Sequence, residues 1–136
     1  MATVTDAQLR EVLSLEPIAV VGFSTTPVKD AHTVPTYLID QGYDVIPVNP
    51  NAEEVANRTS YPSLSEIDRE VAMVDVFRPS EEVPGIVDEA IERGDVSVIW
   101  LQTGITHDAA AERAREAGIT VIQNRCMRIQ HQRLMG

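Results

Sequence analysis

Five short apolar runs, at 18–21, 43–48, 71–77, 96–101 and 119–122, alternate along the chain with segments of helical spacing, and this alternation constrains the fold most. The runs are rich in Val and Ile and are mainly apolar rather than alternating, as strands covered on both faces are. The segments between them carry apolar residues three and four apart, the pattern of helices with one buried stripe. A helix over 5–15 turns Leu9, Val12 and Leu13 inward, with Thr5 or Asp6 as N-cap and Glu16-Pro17 as its end. A second, over 32–41, turns Val34, Tyr37 and Leu38 inward and closes at Gly42. A third starts at a Ser80 cap, buries Val83, Ile86, Val87, Ala90 and Ile91, and stops at Gly94. A fourth starts at a Thr106 cap, buries Ala110, Ala114 and Ala117, and closes at Gly118. The sequence further predicts a short helix over 51–56, a helical turn through Arg69 capped by Ser63 or Ser65, and a polar helical tail over 124–136.

Strands joined through helices by short connections make a parallel sheet with right-handed crossovers. The expected fold is therefore α/β: a single Rossmann-like, doubly wound, five-stranded parallel sheet with helices on both faces. One domain spans 1–136, with an N-terminal helical segment over 1–16. A chain of 136 residues buries one core without staples. A single cysteine, Cys126, excludes an internal disulfide framework and any multi-cysteine metal site. No apolar run reaches the length of a membrane span and no signal pattern opens the chain, so the expected location is the cytoplasm. A net charge of −10 argues against a nucleic-acid partner, which needs a basic face. Lys29 is the only lysine, the other cations being arginines. An acidic, lysine-poor surface of this kind resembles proteins of high-salt cytoplasm.

Ligands of such sheets bind outside the carboxyl ends of the strands. After the first strand, Gly22 permits a sharp turn, Ser24, Thr25 and Thr26 supply hydroxyls, Lys29 supplies a cation, and a helix N-terminus follows. Two readings of this loop stay open, a phosphate cradle and a plain strand-to-helix turn. It is neither a Walker loop nor the dinucleotide fingerprint, since Gly22 is the only glycine of Gly-x-Gly-x-x-Gly present. The other strands end at Asn49-Pro50, Arg78-Pro79, Gln102-Thr-Gly104 and Asn124-Arg-Cys126. Asn49 stands where a dinucleotide site carries an acidic residue, which counts against NAD. The rim offers no paired carboxylates for acid–base work, and His32, His107 and His131 are dispersed without metal spacing. No catalytic residue and no metal ligand is assigned. Cys126, beside Arg125 and Arg128, is either a thiol with lowered pKa or a structural half-buried cysteine. From Gly118 onward there is no acidic residue, while Arg125, Arg128 and Arg133 cluster. They suit a phosphate-bearing ligand, an acidic patch on a second subunit, or a solvated helix face.

These strand ends carry a resemblance. The chain resembles the stand-alone CoA-binding domain proteins, similar to the CoA-binding domain of the succinyl-CoA synthetase α subunit, through segments 18–24, 42–50, 61–64, 74–78, 99–105 and 124–126. The resemblance implies that Gly22, Phe23, Ser24, Thr25 and the residues on to Lys29 hold a CoA pyrophosphate. It implies that Asn49, Pro50, Phe77, Arg78 and Pro79 flank the nucleotide, and that Gln102 and Gly104 lie near the pantetheine arm. Arg78 suits a phosphate through paired charge-assisted bonds, and Lys29 as a point charge. Thr25, Thr26 and Pro27 stand where the synthetase relatives carry glycines, and the relatives' phosphorylated histidine and ATP-grasp region have no counterpart here. The expected function is non-catalytic binding of coenzyme A or an acyl-CoA. The alternatives are a CoA-binding subunit of an acyl-CoA synthetase-type enzyme and a nucleotide- or NAD-responsive regulator. The expected partners are a small-molecule CoA ligand, a second copy in a homodimer, or a synthetase-type protein, with no nucleic acid and no membrane.

Overall fold

The computed structural model describes residues 4–135. Residues 1–3 of the expected helical segment 1–16, and Gly136 of the expected tail 124–136, lie outside the described residues. Helix α1 (Asp6–Val12) opens on a capping box. The Thr5 hydroxyl accepts from the Gln8 N–H at 3.1 Å, and the Thr5 N–H donates to the Gln8 side chain at 2.8 Å. The chain continues through β1 (Ile18–Val21), α2 (Asp30–Asp40), β2 (Val45–Val48), β3 (Glu54–Val55), β4 (Arg58–Thr59), β5 (Met73–Val76) and α3 (Val83–Arg93). It ends with β6 (Val98–Leu101), α4 (Asp108–Glu116), β7 (Thr120–Ile122) and α5 (Met127–Leu134).

The main sheet has five strands in the order β2-β1-β5-β6-β7, every pair parallel. This is the Rossmann-like α/β sheet expected from the alternation. Successive residues of a strand face opposite sides, so each apolar strand feeds two cores. Ala19, Val74, Val76, Ile99 and Leu101 pack with Val83, Ile86, Val87 and Ala90 of α3 and Ala110, Ala111 and Ala114 of α4. Ile18, Val20, Met73, Val98 and Trp100 pack on the other side with Leu9 of α1, Val34 and Leu38 of α2, and Met127 of α5. Each fully buried Ile, Val or Leu contributes about 1.5–3 kcal/mol, which is why the strands need no polar face. Trp100 is wholly buried, and its indole N–H donates to the Arg125 carbonyl at 2.8 Å.

Several local expectations are corrected, and Ala117, expected to be buried in the fourth helix, is exposed at the C-cap of α4. Residues 51–56 form no helix, because Ala56 and Asn57 take left-handed backbone (φ 52° and 62°) and close the β3–β4 hairpin. Helix α2 begins at Asp30, two residues before the expected start, with Lys29 as N-cap. Ser80 caps nothing: a 3-10 turn over Ser80–Glu82 precedes α3, and the Ser80 hydroxyl instead accepts from the Thr106 N–H at 3.1 Å. His107, not Thr106, caps α4, its Nδ1 accepting from the Ala110 N–H at 3.1 Å. A 3-10 turn also occupies Leu64–Glu66, with neither Ser63 nor Ser65 forming a cap bond. Arg93 anchors that connector by donating to the Leu64 and Ile67 carbonyls at 3.1 and 2.9 Å.

Candidate functional site

The strand order reverses between β1 and β5, and the crevice of a doubly wound sheet opens at that point. Gly22 leaves β1 there with φ +90°, and Phe77 and Arg78 leave β5 beside it. A Cβ on Gly22 would stand 2.8 Å from the Phe77 carbonyl oxygen and 2.9 Å from the Arg78 Cδ. The glycine is needed twice over, for its backbone angle and to let the Arg78 stem cross it.

Two cavities adjoin here, sharing Ala31, Phe77 and Arg78 as a common ridge. The first, about 560 Å³, is walled by Gly22, Ser24, Lys29, Asn49, Pro50, Asn51, Pro62, Ser63, Arg78, Glu82 and Glu89. The second, about 490 Å³, is walled by Asp30, Val34, Phe77, Pro79, Gln102, Thr103, Ile105, Cys126, Arg128 and Ile129. Each has the size of a small-molecule site. The N-terminus of the eleven-residue α2 opens onto both through Ala31, bringing first-turn N–H groups that lack intrahelical acceptors.

Most of the residues singled out in the sequence converge on these walls: Gly22, Ser24, Lys29, Asn49, Pro50, Phe77 and Arg78 on the first, and Phe77, Arg78, Pro79 and Gln102 on the second. Three stand apart. The Phe23 ring is fully buried, edge-on to His32 with ring centres 5.7 Å apart. Thr25 is exposed beside the first cavity without lining it. Gly104 lines neither cavity, and its N–H donates to the Asn124 side chain at 2.6 Å.

The loop after β1 is held from three sides. The Ser24 N–H donates to the Ala31 carbonyl at 3.0 Å, and His32 Nδ1 donates to the Ser24 carbonyl at 2.6 Å. The Ser24 hydroxyl oxygen accepts from the Thr26 N–H at 3.0 Å, which leaves its proton free to donate. Asn49 ties the first two strand ends together, its side-chain amide donating to the Phe23 carbonyl at 3.0 Å while its oxygen accepts from the Asn51 N–H at 2.8 Å. Both ends of that amide are therefore engaged within the chain.

Three acidic residues escaped the sequence reasoning. Glu82 holds the Arg78 guanidinium by two bonds, at 3.1 Å from Nε and 2.7 Å from Nη2, and this contact keeps its carboxyl below the usual range. Their spacing, four residues apart, was a signal for the pair. Glu89, on the wall of the first cavity, accepts from the Ser65 N–H at 2.9 Å. Asp75, an acid inside an apolar run, is wholly buried, and burial pushes its carboxyl up to about 7. Gln102 Nε2 donates to one Asp75 oxygen and Gln102 Oε1 accepts from the Met127 N–H at 3.2 Å, while the other Asp75 oxygen has no partner. The basic tail is divided in use: Arg133 pairs with Asp6 at 3.0 Å, joining α5 to α1, while Arg128 lines the second cavity. His131 is buried between Tyr37 and Tyr43, its Nδ1 2.8 Å from the Tyr37 hydroxyl, and burial lowers its pKa.

Among the described residues no group of three or more His, Cys, Asp or Glu could hold a metal ion, and no helix is long and apolar enough to cross a membrane. The donor set of the first cavity suits phosphate instead: a lysine, an arginine, a free hydroxyl and helix N–H groups.

Comparison with known proteins agrees with that chemistry. The family model described as a CoA binding domain matches residues 16–132. The chain is 38% identical over 132 residues to the uncharacterized protein YneT of Bacillus subtilis, covering 96% of this chain and 97% of that one. A solved structure of a hypothetical protein from Pyrococcus horikoshii superposes with a TM-score of 0.93 at 41% identity, over 97% of this chain and 93% of the other. The ADP-forming acetate–CoA ligase II of Archaeoglobus fulgidus is 28% identical over 106 residues, which are 76% of this chain and 16% of the ligase.

Proposed function

The chain belongs to the CoA-binding domain family, and from that premise we propose that it binds coenzyme A or an acyl-CoA across the two adjoining cavities without transforming it. The observation that carries the proposal is the match between cavity chemistry and ligand chemistry on either side of the Phe77–Arg78 ridge. Coenzyme A has a highly charged nucleotide diphosphate at one end and a long uncharged arm ending in a thiol at the other. Lys29, Arg78, the Ser24 hydroxyl and the α2 N-terminus would take the diphosphate, and Asn49, Pro50 and Ser63 would border the nucleoside. The arm would run past Pro79, Ile105 and Ile129, with Gln102 presenting an oriented amide to it. When bound, the ligand supplies only its thiol or thioester; the chain supplies binding, orientation and exclusion of water from the apolar half.

The similarity to an ADP-forming acetate–CoA ligase favours one second reading, a CoA-binding subunit that works with a separate ATP-grasp protein. A nucleotide- or NAD-responsive regulator is weaker, because the Asn49 amide is engaged at both ends and no carboxylate stands at the end of β2. Titration calorimetry of the purified protein tests all three, with CoA, acetyl-CoA, NAD and ATP in parallel, in high salt to suit the acidic surface of a protein expected in a high-salt cytoplasm. Micromolar binding of CoA with weak binding of NAD and ATP is the expected result. Equal binding of all four ligands would replace the proposal with a general adenosine-phosphate site. Co-purification with an ATP-grasp protein would favour the subunit reading.

A further inference from the structure

We propose that Glu82 is a built-in competitor for Arg78, so that a phosphate-bearing ligand in the first cavity gains the guanidinium only by displacing a carboxylate. The inference rests on the proposed CoA site and adds a residue that tunes its affinity. The Glu82 carboxylate occupies the Nε/Nη2 edge of Arg78 with the paired geometry a phosphate adopts. The first cavity is walled by two cations, Lys29 and Arg78, and two carboxylates, Glu82 and Glu89. Its formal charges cancel, so an anion meets little net attraction until Glu82 moves away.

The pair is built to open. Both side chains are about half exposed, at 46% and 44%, and such pairs hold their partners weakly. Glu82 stands at the N-cap of α3 but makes no side-chain cap bond, so its carboxylate can swing into water without orphaning a buried group. The Arg78 stem, in contrast, lies close over Gly22. The Arg93–Asp95 pair shows the opposite design. Arg93 is only 11% exposed and also donates to the Leu64, Ile67 and Arg69 carbonyls, so it cannot change partners without leaving three acceptors unmatched. A phosphate group offers at least as much charge as the Glu82 carboxylate and more acceptor oxygens, so it can take the guanidinium in its place.

The test measures dissociation constants for CoA, ADP and AMP with the wild-type chain, Glu82→Gln, Glu82→Ala, Arg78→Ala and the Arg78→Ala/Glu82→Gln double variant. Releasing Arg78 should tighten CoA and ADP by roughly three- to ten-fold, from loss of the exposed pair and of one repelling charge. AMP should gain by a similar factor wherever its phosphate reaches Arg78, since the cost of displacing Glu82 is common to every such ligand. In the Arg78→Ala background the Glu82→Gln gain should vanish. A wild-type chain that binds CoA with an affinity neither Glu82 variant changes overturns the inference alone. A full gain persisting without Arg78 also overturns it, since Glu82 would then act by simple repulsion. Absence of CoA binding by every form, the released ones included, overturns the CoA reading and this inference together.

Discussion

Replacing Gly22 by alanine probes the point on which the site depends. At φ +90° an L-residue is strained by about 1–2 kcal/mol. The new Cβ would also stand 2.8 Å from the Phe77 carbonyl oxygen and 2.9 Å from the Arg78 Cδ, closer than atoms pack. The carbonyl belongs to the backbone leaving the central strand, so relieving the contact moves β5 or β1 and adds about 1–3 kcal/mol. The total is about 2–5 kcal/mol. Gly42 is the control: its φ is +95°, but nothing lies within 4 Å of its Cβ position. Gly42→Ala should therefore cost only the backbone strain. For a chain of 136 residues the entropy of unfolding is about 0.29 kcal/mol/K, so Gly22→Ala should lower Tm by about 7–17 °C and Gly42→Ala by about 3–7 °C. Scanning calorimetry and urea unfolding measure both, and a parallel CoA titration should show weakened binding for Gly22→Ala only. Equal losses of stability in the two variants would refute the argument that a close approach at Gly22 shapes the site.

Arg78→Ala should weaken CoA binding by about 1.5–3 kcal/mol if the guanidinium meets a phosphate, and an unchanged dissociation constant would remove it from the site. Burial raises the Asp75 carboxyl to about 7, so the folded chain holds a proton that the unfolded chain releases near pH 4. Its contribution to stability is therefore full below pH 4 and declines as pH rises toward 7. The stability difference between Asp75→Asn and wild type should accordingly move in favour of the variant across that window; a pH-independent difference from urea unfolding would sink the assignment. His131 carries the opposite sign: burial lowers its pKa, so its contribution is present above about pH 6.5 and is lost as pH falls through the lowered folded value. Protection factors of the α5 amides, taken against intrinsic rates at each pH, should fall on acidification, and His131→Gln should remove that fall.

The alternation of apolar runs and helical stripes was enough to derive the parallel five-stranded sheet, because a strand with no polar face has to be covered on both sides. Gly22, Asn49, Arg78 and Gln102 were legible as rim residues for the same reason, since the carboxyl end of each strand is set by its last apolar residue. The hairpin at Ala56 and Asn57 was not legible, because left-handed backbone at an alanine leaves no mark in composition. Phe23 sits in the rim loop by sequence, yet its ring is fully buried against His32. The resemblance was legible because its motifs lie at the strand ends themselves, and the match over residues 16–132 bears it out.

By itself, then, the sequence determined the layers, the strand count and the end of the sheet where polar groups collect, because these follow from local period and from short connections. Only the tertiary structure decided which of those groups meet. The strand order brings β1 beside β5, although the two are more than fifty residues apart, and so sets Gly22 under Arg78. The same packing sends Arg133 to Asp6 and Gln102 to the buried Asp75. Pairings of this kind depend on distances across the fold, which no spacing along the chain encodes.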